Sequence, residues 1–522
     1  MKKLPIGVQS FEVMRTQGFV YVDKTEWIHQ LATEGMYYFL ARPRRFGKSL
    51  LASTLKCLFQ GRRELFTGLW IAEPGRWEWQ AHPVVVIDFN QMSLDTPENL
   101  GLSLKRELAA IGRMYQVELE EPLLEGQFKE LVLALYHKTQ RPVVVLIDEY
   151  DKPLVEHLGK GEAGLAVGRA NRDILRGFFG VLKGSDVAAA LRFVLLTGVS
   201  RFSRVSVFSA LNNLNDISIS AQYAALLGYT QTELEDCFRE HIARFAEEAG
   251  QTPAQVVEAL AQHYNGYRFS TRNLKVYNPF STLSALKEME FRNYWFETGT
   301  PTFLVNLLRE KRYDPPNLEG LEVSQSVFST FELERLTPEA LLFQTGYLTI
   351  QDIQDNVYTL NYPNQEVKTA FTESLLLAAE GLAPEVSSHV LKLSRHLANG
   401  NLEAFFETMT AIFAAIPYDI QTKRDEGYYH ALFYLAISAS GGQAQSSLFT
   451  ARGRIDLAVT CPDKVYVIEF KCNQSAAAAL AQIRERGYAA RYRQSGRQII
   501  LLGINFSQET RNVADWQAAR PD

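Results

Sequence analysis

The sequence predicts an α/β protein with a parallel sheet in residues 1–220, a mainly helical middle in residues 221–380 and a smaller α/β part in residues 381–522. Four short apolar runs predict the first sheet: "MYYFLA", "HPVVVIDFN", "RPVVVLIDEY" and "LRFVLLTGVS". Helical patterns such as "ENLGLSLKRELAAIG" and "FKELVLALYHK" separate these runs. Continuous apolar strands that alternate with helices are typical of a parallel sheet buried on both faces.

The middle part contains helical patterns such as "TQTELEDCFREHIARFAEEAG" and "TPAQVVEALAQHY", followed by a strand pair in "GYLTIQDIQDNVYTLNYPN". Helices followed by a hairpin suggest a winged helix, which would serve either DNA contact or packing against the first part, and we favour packing. Gly, Pro and Ser cluster in "AAEGLAPEVSS", which predicts the next boundary.

The C-terminal part opens with helices and then contains "QSSLFTARGRIDLAVTCPDKVYVIEFKC", which predicts strands. A helix in "SAAAALAQIRERGYAARYR" and a last strand in "RQIILLGI" complete the expected order of helix, hairpin, helix and strand.

Composition excludes several classes of protein. The 522-residue chain has 22% charged residues and a formal net charge of −5, so it is not expected to coat nucleic acid by bulk charge. The four cysteines form no C-x-x-C pair, and no apolar stretch approaches the roughly 18 residues of a membrane span. We therefore expect a cytoplasmic protein with no membrane partner.

The stretch "YYFLARPRRFGKSLLASTL" is similar to a phosphate-binding loop, G-x-x-x-x-G-K-[ST], placed between a strand and a helix. Gly47, Lys48 and Ser49 supply its end, whereas Arg42 stands in place of the first glycine. In such a loop backbone N–H groups surround the phosphates, Lys neutralises their charge and the hydroxyl binds Mg²⁺. The stretch predicts nucleotide binding.

An acidic strand end is the second requirement of a nucleotide site. Asp148 and Glu149 follow the apolar run "VVVLI", and we expect Asp148 to hold the metal's water and Glu149 to orient the attacking water. Thr197 ends the next strand and Arg201 follows it, so both are candidates for contact with the γ-phosphate. Each of these two is equally well explained as a turn residue, and Asp88 is explained as a strand-end cap.

A second cluster of charged residues is expected in the hairpin "GRIDLAVTCPDKVYVIEFK". If Pro462 and Asp463 form its tip, Asp456 lies directly opposite Glu469, and Lys471 shares the face of Glu469. Opposed carboxylates destabilise a sheet unless a divalent cation lies between them. The alternative is an ordinary salt bridge on a surface strand pair. The residues expected on the opposite face are Ile455, Leu457, Ile468 and Phe470.

The helix after this hairpin carries a locally basic run with aromatic residues. Such a run suits binding to a phosphate backbone, although a solvated helix face is the commoner explanation. The run consists of Arg484, Arg486, Tyr488, Arg491 and Arg493.

With both constellations, the chain resembles a family of prokaryotic proteins that join an AAA-ATPase-like domain to a C-terminal PD-(D/E)XK nuclease-like domain. The resemblance covers nearly the whole chain and implies a P-loop ATPase sheet followed by a restriction-endonuclease-like α/β domain. Further stretches that carry it are "YVDKT", "RPRRFGKSLL", "FSALNNLNDIS", "YNGYRF", "YNPFS", "TGTPTFL" and "PNQEV".

The resemblance assigns expected roles at the first site. In this family "RPRRFGKS" stands where the glycine-led loop stands elsewhere, so ATP binding is expected to be retained. Arg42, Arg44 and Arg45 would then add positive charge near the phosphates.

At the second site the resemblance implies Asp456 and Glu469 as metal ligands and Lys471 as the group that positions water or stabilises developing charge. Glu426 would be an additional acidic residue. Gln482 and Tyr488 would line the site. Many relatives have Glu near position 447, where this chain has Ser447.

The expected function is an ATP-dependent control of a nuclease that uses Mg²⁺, with Mn²⁺ as an alternative, and that cuts nucleic acid, with DNA favoured. The family setting suggests defence or mobile genetic elements. The rival hypotheses are an ATP-dependent switch with a non-cleaving nuclease fold and an ATPase that remodels a partner protein. The sequence leaves open a homo-oligomer in which Arg201 acts across a subunit interface.

Overall fold

The computed structural model describes the chain except residues 202–210, 212, 298–303, 306, 307, 309–314, 330–336, 381–385, 417–424, 451, 452 and 522. The described residues divide into two compact units. Unit 1 comprises Met1–Trp295 and Val323–Tyr358, and unit 2 comprises Phe296–Glu322 and Thr359–Asp522. The limits predicted at residues 220 and 380 remain predictions. Five of the eleven residues of the predicted boundary "AAEGLAPEVSS", residues 381–385, lie outside the described residues.

A five-stranded sheet of order β2-β3-β4-β1-β5 lies in unit 1, and the pairings between its strands are parallel. The four apolar runs form β1 to β4, which confirms the predicted parallel α/β sheet. The strands are β1 (Tyr37–Ala41), β2 (Val84–Asp88), β3 (Val143–Asp148), β4 (Leu191–Gly198) and β5 (Asn215–Asp216).

Both faces of this sheet are buried. Phe39, Ile87 and Ile147 belong to one apolar cluster, whereas Tyr38 and Leu146 belong to another. Neighbouring residues along a strand point to opposite faces, so a strand without polar positions requires cover on both sides. Because these strands are parallel, the carboxyl ends of β1, β3 and β4 lie at the same edge of the sheet.

Several helices before residue 345 begin with a Thr-Pro or Asn-Pro pair. Thr96, Thr252, Asn278 and Thr337 each cap a helix by accepting a backbone N–H, and each is followed by Pro in the first turn. The helices are α1 (Phe11–Thr16), α2 (Thr25–Glu34), α3 (Lys48–Phe59), α4 (Pro97–Met114), α5 (Leu124–Thr139), α6 (Lys152–Val155), α7 (Gly161–Gly180), α8 (Ser185–Ala189), α9 (Gln231–Cys237), α10 (Arg239–Ala249), α11 (Pro253–Tyr264), α12 (Pro279–Glu288), α13 (Tyr294–Glu297) and α14 (Pro338–Thr345).

The predicted strand pair of the middle part is confirmed as β7 (Thr349–Gln354) and β8 (Val357–Asn361). Asp355 and Asn356 join these strands with φ of 49° and 64°, the positive values that a tight two-residue hairpin requires. An additional strand, β6 (Leu321–Ser324), pairs with β8 and was not predicted. The winged-helix interpretation remains a prediction.

Unit 2 contains a mixed sheet of order β13-β12-β11-β10-β9, in which only the β11–β12 pairing is parallel. The prediction that "RQIILLGI" is the last strand is wrong, because "NVADWQAA" forms a further strand antiparallel to it. The strands are β9 (Gln443–Thr450), β10 (Gly453–Thr460), β11 (Lys464–Cys472), β12 (Gln498–Ser507) and β13 (Asn512–Ala519).

One helix, α19, connects the parallel strands β11 and β12, as a crossover requires. The remaining helices of unit 2 precede the sheet. No helix among the described residues is long and apolar enough to cross a membrane. The helices are α15 (Gln365–Glu380), α16 (Ser387–Ala398), α17 (Leu402–Ala414), α18 (Glu426–Ala439) and α19 (Ala476–Arg486).

Candidate functional site

The loop between β1 and α3 has the backbone of a phosphate-binding loop at its end. Gly47 has φ of 94°, a conformation that favours glycine, and α3 begins at the next residue. The Lys48 ammonium group is buried, donates to the carbonyl oxygens of Arg42 and Pro43 at 3.2 and 3.3 Å, and lies 3.3 Å from Glu149 Oε1. The loop and the end of β3 therefore meet at Lys48.

Asp148 is the second centre of this site. Its carboxylate accepts hydrogen bonds from the hydroxyls of Ser49 and Thr197. Burial raises the pKa of Asp148, and these two hydroxyls and Lys48 oppose that rise. Glu149 follows at φ of 54°, an uncommon conformation that turns its side chain away from the strand direction and toward Lys48. The structure thus brings together five of the predicted residues, Lys48, Ser49, Asp148, Glu149 and Thr197.

Sequence reasoning missed Asp151, which connects the ends of β3 and β4. Its buried carboxylate accepts from the backbone N–H groups of Val199 and Ser200 at 3.1 and 2.7 Å and from the Ser200 hydroxyl. Burial, followed by the nearby Glu149, raises the pKa of Asp151 to about 6. The spacing D-E-x-D after a buried strand was the available signal.

Arg42 does not present its charge at the loop surface. The side chain is 1% exposed, donates to the carbonyl oxygens of Ala41 and Ser218, and lies 4.2 Å from the centre of the Phe269 ring. Burial lowers the pKa of Arg42 to about 9, and Asp216 opposes that effect. In this conformation the guanidinium holds the base of the loop, and its predicted contribution of positive charge near the phosphates stays a prediction.

Arg44 and Arg45 are exposed, and the Arg45 guanidinium lies 4.9 Å from the Phe280 ring centre. Arg201 is buried, and its Nε donates to Asp216 at 3.0 Å while Nη1 donates to the carbonyl oxygen of Phe328 at 2.9 Å. These contacts support a structural pairing for Arg201. Its predicted role at the γ-phosphate or across a subunit interface stays a prediction.

The second site lies where β10 and β11 separate. The pairing runs from Thr460 and Val465 to Leu457 and Ile468, in the register that places Asp456 opposite Glu469. Beyond Leu457 the ladder ends, and Asp456 Oδ2 instead accepts the backbone N–H of Phe470 at 3.0 Å. The predicted register is therefore correct, and the first carboxylate lies between the two strands.

Glu469 is the most buried acid of this site, with 2% of its surface exposed. Gln482 on α19 donates to its Oε1, and Lys471 Nζ lies 3.6 Å from the same atom. Burial first and then Asp456 raise the pKa of Glu469 to about 8, although Lys471 opposes that rise. The structure thus brings together the acid, the amide and the lysine that the sequence predicted.

Glu426 begins α18, and burial raises its pKa, with Lys471 opposing and Asp456 reinforcing that effect. One turn later on the same helix, the His430 imidazole hydrogen-bonds to the backbone of Asp456 and lies 5.4 Å from the Phe470 ring centre. His430 was missed because a single histidine in an apolar helix carries no pattern. Tyr488 is buried and hydrogen-bonds to Gln482.

The expected alternation of side chains fails at Ile455. This residue lies in the apolar cluster of Val465 and Val467, whose strand face is that of Glu469, and not on the face of Phe470. Ser447, which the β9–β10 register places beside Asp456, has φ of 54°, so the strand pair is irregular at this point. The irregularity accompanies the Asp456 bond to the β11 backbone.

The residues fit a divalent cation in their chemistry. Glu469 Oε2 is buried and has no hydrogen-bond partner among the described residues, and the nearby Asp456 carboxylate contributes to the raised pKa values of Glu426 and Glu469. Hard cations prefer such oxygen ligands. Within the described part of the chain, however, no group of three or more His, Cys, Asp or Glu side chains has the geometry of a complete metal site. Asp456 and Gln482 would therefore have to exchange partners on binding.

Comparison with known proteins identifies both domains. Residues 5–208 match the family described as predicted AAA-ATPase, and residues 424–516 match the PD-(D/E)XK nuclease superfamily. A protein of Azotobacter chroococcum mcd 1, named as an uncharacterized protein in the vnfD 5′ region, is 40% identical over 524 positions that cover 98% of each chain. The chain belongs to this AAA-ATPase-like family with a C-terminal nuclease-superfamily domain.

Several family-like stretches now have a structural explanation in this AAA-ATPase-like protein. In "YVDKT", Asp23 accepts from Thr25 and from the backbone of Trp70, while Lys24 is held by Glu233 and the carbonyl oxygen of Ala225. In "FSALNNLNDIS", Asp216 pairs with Arg201 and Ser218 accepts the backbone N–H of Ala41 at 2.8 Å. Most of "TGTPTFL" lies outside the described residues.

Proposed function

We propose that this protein binds ATP with Mg²⁺ in its AAA-like domain and that nucleotide occupancy controls a metal-dependent nuclease in its C-terminal domain. The observation that carries the proposal is the convergence of Asp456, Glu469 and Lys471 where β10 and β11 separate. A phosphate-binding loop in the same chain supplies the control element.

At the nuclease site, Asp456, Glu469 and Glu426 would hold the cation. The bound cation lowers the pKa of a water and stabilises the charge that develops on the phosphate. Lys471, whose ammonium group already lies 3.6 Å from Glu469, would orient that water or donate to the phosphate oxygen. Gln482, after giving up its bond to Glu469, would line the site together with Tyr488, to which it is hydrogen-bonded.

At the nucleotide site, the buried Lys48 would exchange its present carbonyl and Glu149 partners for phosphate oxygens. Ser49 and Asp148 are already hydrogen-bonded, which matches the hydroxyl and acidic residue that hold Mg²⁺ and its water in P-loop enzymes. Thr197, bonded to the same carboxylate, would sense the γ-phosphate. Release of Glu149 from Lys48 would free it to orient the attacking water.

Nucleic acid is the substrate class that the second site supports, and we favour DNA. Arg484, Arg486, Arg491 and Arg493 are exposed on and just after α19, which also carries Gln482. Cationic side chains near a phosphodiesterase site bind the flanking phosphates. Such binding should weaken as salt increases.

A second candidate function is an ATP-dependent switch that binds nucleic acid or a partner without cutting it. The bonds of Asp456 to Phe470 and of Gln482 to Glu469 favour this candidate, because they occupy atoms that a cation would need.

Cleavage assays separate the two candidates. The purified chain is incubated with single- and double-stranded DNA and RNA, in Mg²⁺ or Mn²⁺, and compared with Lys471→Ala and with Lys464→Ala. Lys464 is a control because it lies on the same strand and its ammonium group donates to the carbonyl oxygen of Ala398. Cutting that is lost only with Lys471→Ala supports the nuclease. Binding without cutting in every condition supports the switch.

A further inference from the structure

The phosphate loop contains a backbone conformation that it cannot hold by local preference alone. Arg45 has φ of 67°, in the left-handed region that is unfavourable for a non-glycine residue. The first glycine of the usual loop is also absent, since Arg42 occupies its position. Strained backbone of this kind persists only where surrounding structure imposes it.

The surrounding structure is an aromatic segment more than two hundred residues away in sequence. Phe46, 1% exposed, packs edge-on against Tyr267 and Phe269, with ring centres 4.8 and 5.4 Å apart. The Arg42 guanidinium also contacts this ring and lies 4.2 Å from the Phe269 ring centre. Phe269 thus contacts residues at both ends of the loop.

Two further contacts hold the middle of the loop. The indole N–H of Trp295 donates to the carbonyl oxygen of Arg44 at 3.1 Å. Gly346 approaches Pro43 so closely that an added Cβ would lie 2.6 Å from the proline ring. Each of the loop positions from Arg42 to Phe46 therefore has a contact partner in the later part of unit 1.

The aromatic segment is itself rigidly held. The backbone N–H of Arg268 donates to Thr349 Oγ1 at 2.8 Å, and its guanidinium donates to the carbonyl oxygens of Ser270 and Thr271 at 3.0 and 2.6 Å. A buried arginine with several carbonyl partners fixes the backbone on both sides of it. The rings at positions 267 and 269 are therefore a firm support for the loop.

We propose that the segment Tyr267–Phe269 is a positioning element of the nucleotide site, which holds the loop Arg42–Gly47 in its phosphate-binding shape. Tertiary packing thus supplies the loop geometry that local glycine supplies in the usual motif. Because docking of this segment and nucleotide binding favour the same loop conformation, each strengthens the other. The inference rests on the proposed ATP site and adds the element that governs its affinity.

The test compares two buried phenylalanines of unit 1. Phe269→Leu removes the ring that supports the loop, whereas Phe245→Leu removes a ring that is 2% exposed and packs on Phe291 in the helical cluster of α10 and α11. We expect Phe269→Leu to weaken Mg-ATP binding at least tenfold, measured by calorimetry, and Phe245→Leu to change it less than twofold. Phe269→Tyr, which keeps the ring, should stay within threefold of the wild type.

Hydrogen exchange provides a second measurement that requires no variant. Adding Mg-ATP to the full chain should slow exchange in residues 43–48 and also in residues 264–272. Protection confined to the loop, unchanged affinity in Phe269→Leu, or an equal loss in Phe245→Leu would each overturn the inference while leaving ATP binding intact. A wild-type chain that binds no ATP would instead overturn the proposed function, and the inference with it.

Discussion

Lys48 connects the phosphate loop to Glu149, and its removal tests the proposed nucleotide site. Lys48→Ala should weaken ATP binding about a hundredfold, because a charged hydrogen bond to phosphate contributes about 1.5–3 kcal/mol. Calorimetric titration with Mg-ATP measures the loss. Lys56→Ala, in the last turn of the same helix α3, is the control and should bind ATP as the wild type does. Retained affinity in Lys48→Ala would contradict the assignment.

A substitution at Asp456 can test the role of its negative charge without removing its hydrogen bond to the backbone of β11. Asp456→Asn keeps an oxygen for the Phe470 N–H but removes the charge, so cleavage should fall at least about a hundredfold while ATP affinity is unchanged. Asp463→Asn at the exposed hairpin tip is the matched control. Undiminished cleavage by Asp456→Asn would place the reacting centre elsewhere.

The raised pKa of Glu469 predicts how metal use depends on pH. With a pKa of about 8, this carboxyl group is protonated at neutral pH, so a cation must displace the proton. The Mg²⁺ concentration that gives half-maximal cleavage should fall up to about tenfold per pH unit as pH rises toward 8, and should then level off. Cleavage assays across pH 6.5–9 measure this change. A half-maximal Mg²⁺ concentration that does not change between pH 6.5 and 9 would contradict a raised pKa of Glu469.

The same shift has a consequence for stability without metal. A carboxyl group whose pKa is higher in the folded state than its ordinary 4.5 stabilises the folded state at low pH, and that contribution is lost as pH rises through about 8. The melting temperature of metal-free protein should therefore decline between pH 5 and 8, and the decline should shrink in Glu469→Gln.

At these two sites the sequence identified most of the residues that converge, because their signals are local. Lys48 and Ser49 follow a glycine, and Asp456 and Glu469 follow from counting along a hairpin. It did not find Asp151 or Asp216, because their partners lie on other strands or loops. It also did not predict that Arg42 is buried, since a charged residue in a loop is usually exposed and this one is covered by the later chain.

At the scale of elements, α19 is held against the second site by a close contact with β12. Gly503 pairs with Glu469, and an added Cβ would lie 2.3 Å from the carbonyl oxygen of Ala476 at the start of α19. Gly503→Ala should therefore destabilise the protein by about 1–3 kcal/mol. It should also lower cleavage, because α19 carries Gln482.

Thermal unfolding and cleavage measure these two effects of Gly503→Ala. Gly101→Ala is the matched control. Gly101 lies on α4, and an added Cβ there would have no neighbouring atom within 4 Å. Alanine favours helix over glycine by about 1 kcal/mol, so this control should melt at the same or a higher temperature. Equal melting of both variants would contradict the close packing of α19.

The elements that the sequence predicted well have strong periodicity and apolar content, as β1 to β4 do. The strand β13 was missed because "NVADWQAA" contains Asn, Asp and Gln, which are depleted in strands, and its pairing with β12 decides its conformation. β6 was missed because it is only four residues long and depends on its pairing with β8.

At the scale of the whole molecule, the chain passes between the two compact units several times, since residues 296–322 belong to unit 2 while residues 323–358 return to unit 1. The chain order of motifs predicted the two enzyme-like domains but could not predict this exchange of segments, which depends on contacts distant in sequence. A nucleotide effect on the nuclease would require a conformational equilibrium that ATP shifts through different affinities for its states.

The most direct test of the central claim is the rate of DNA cleavage in Mg²⁺ with and without saturating ATP, measured for the wild type and for Lys48→Ala. We predict that ATP changes the wild-type rate severalfold and leaves the rate of Lys48→Ala unchanged. Equal wild-type rates with and without ATP, in a protein that binds ATP and cuts DNA, would contradict nucleotide control of the nuclease.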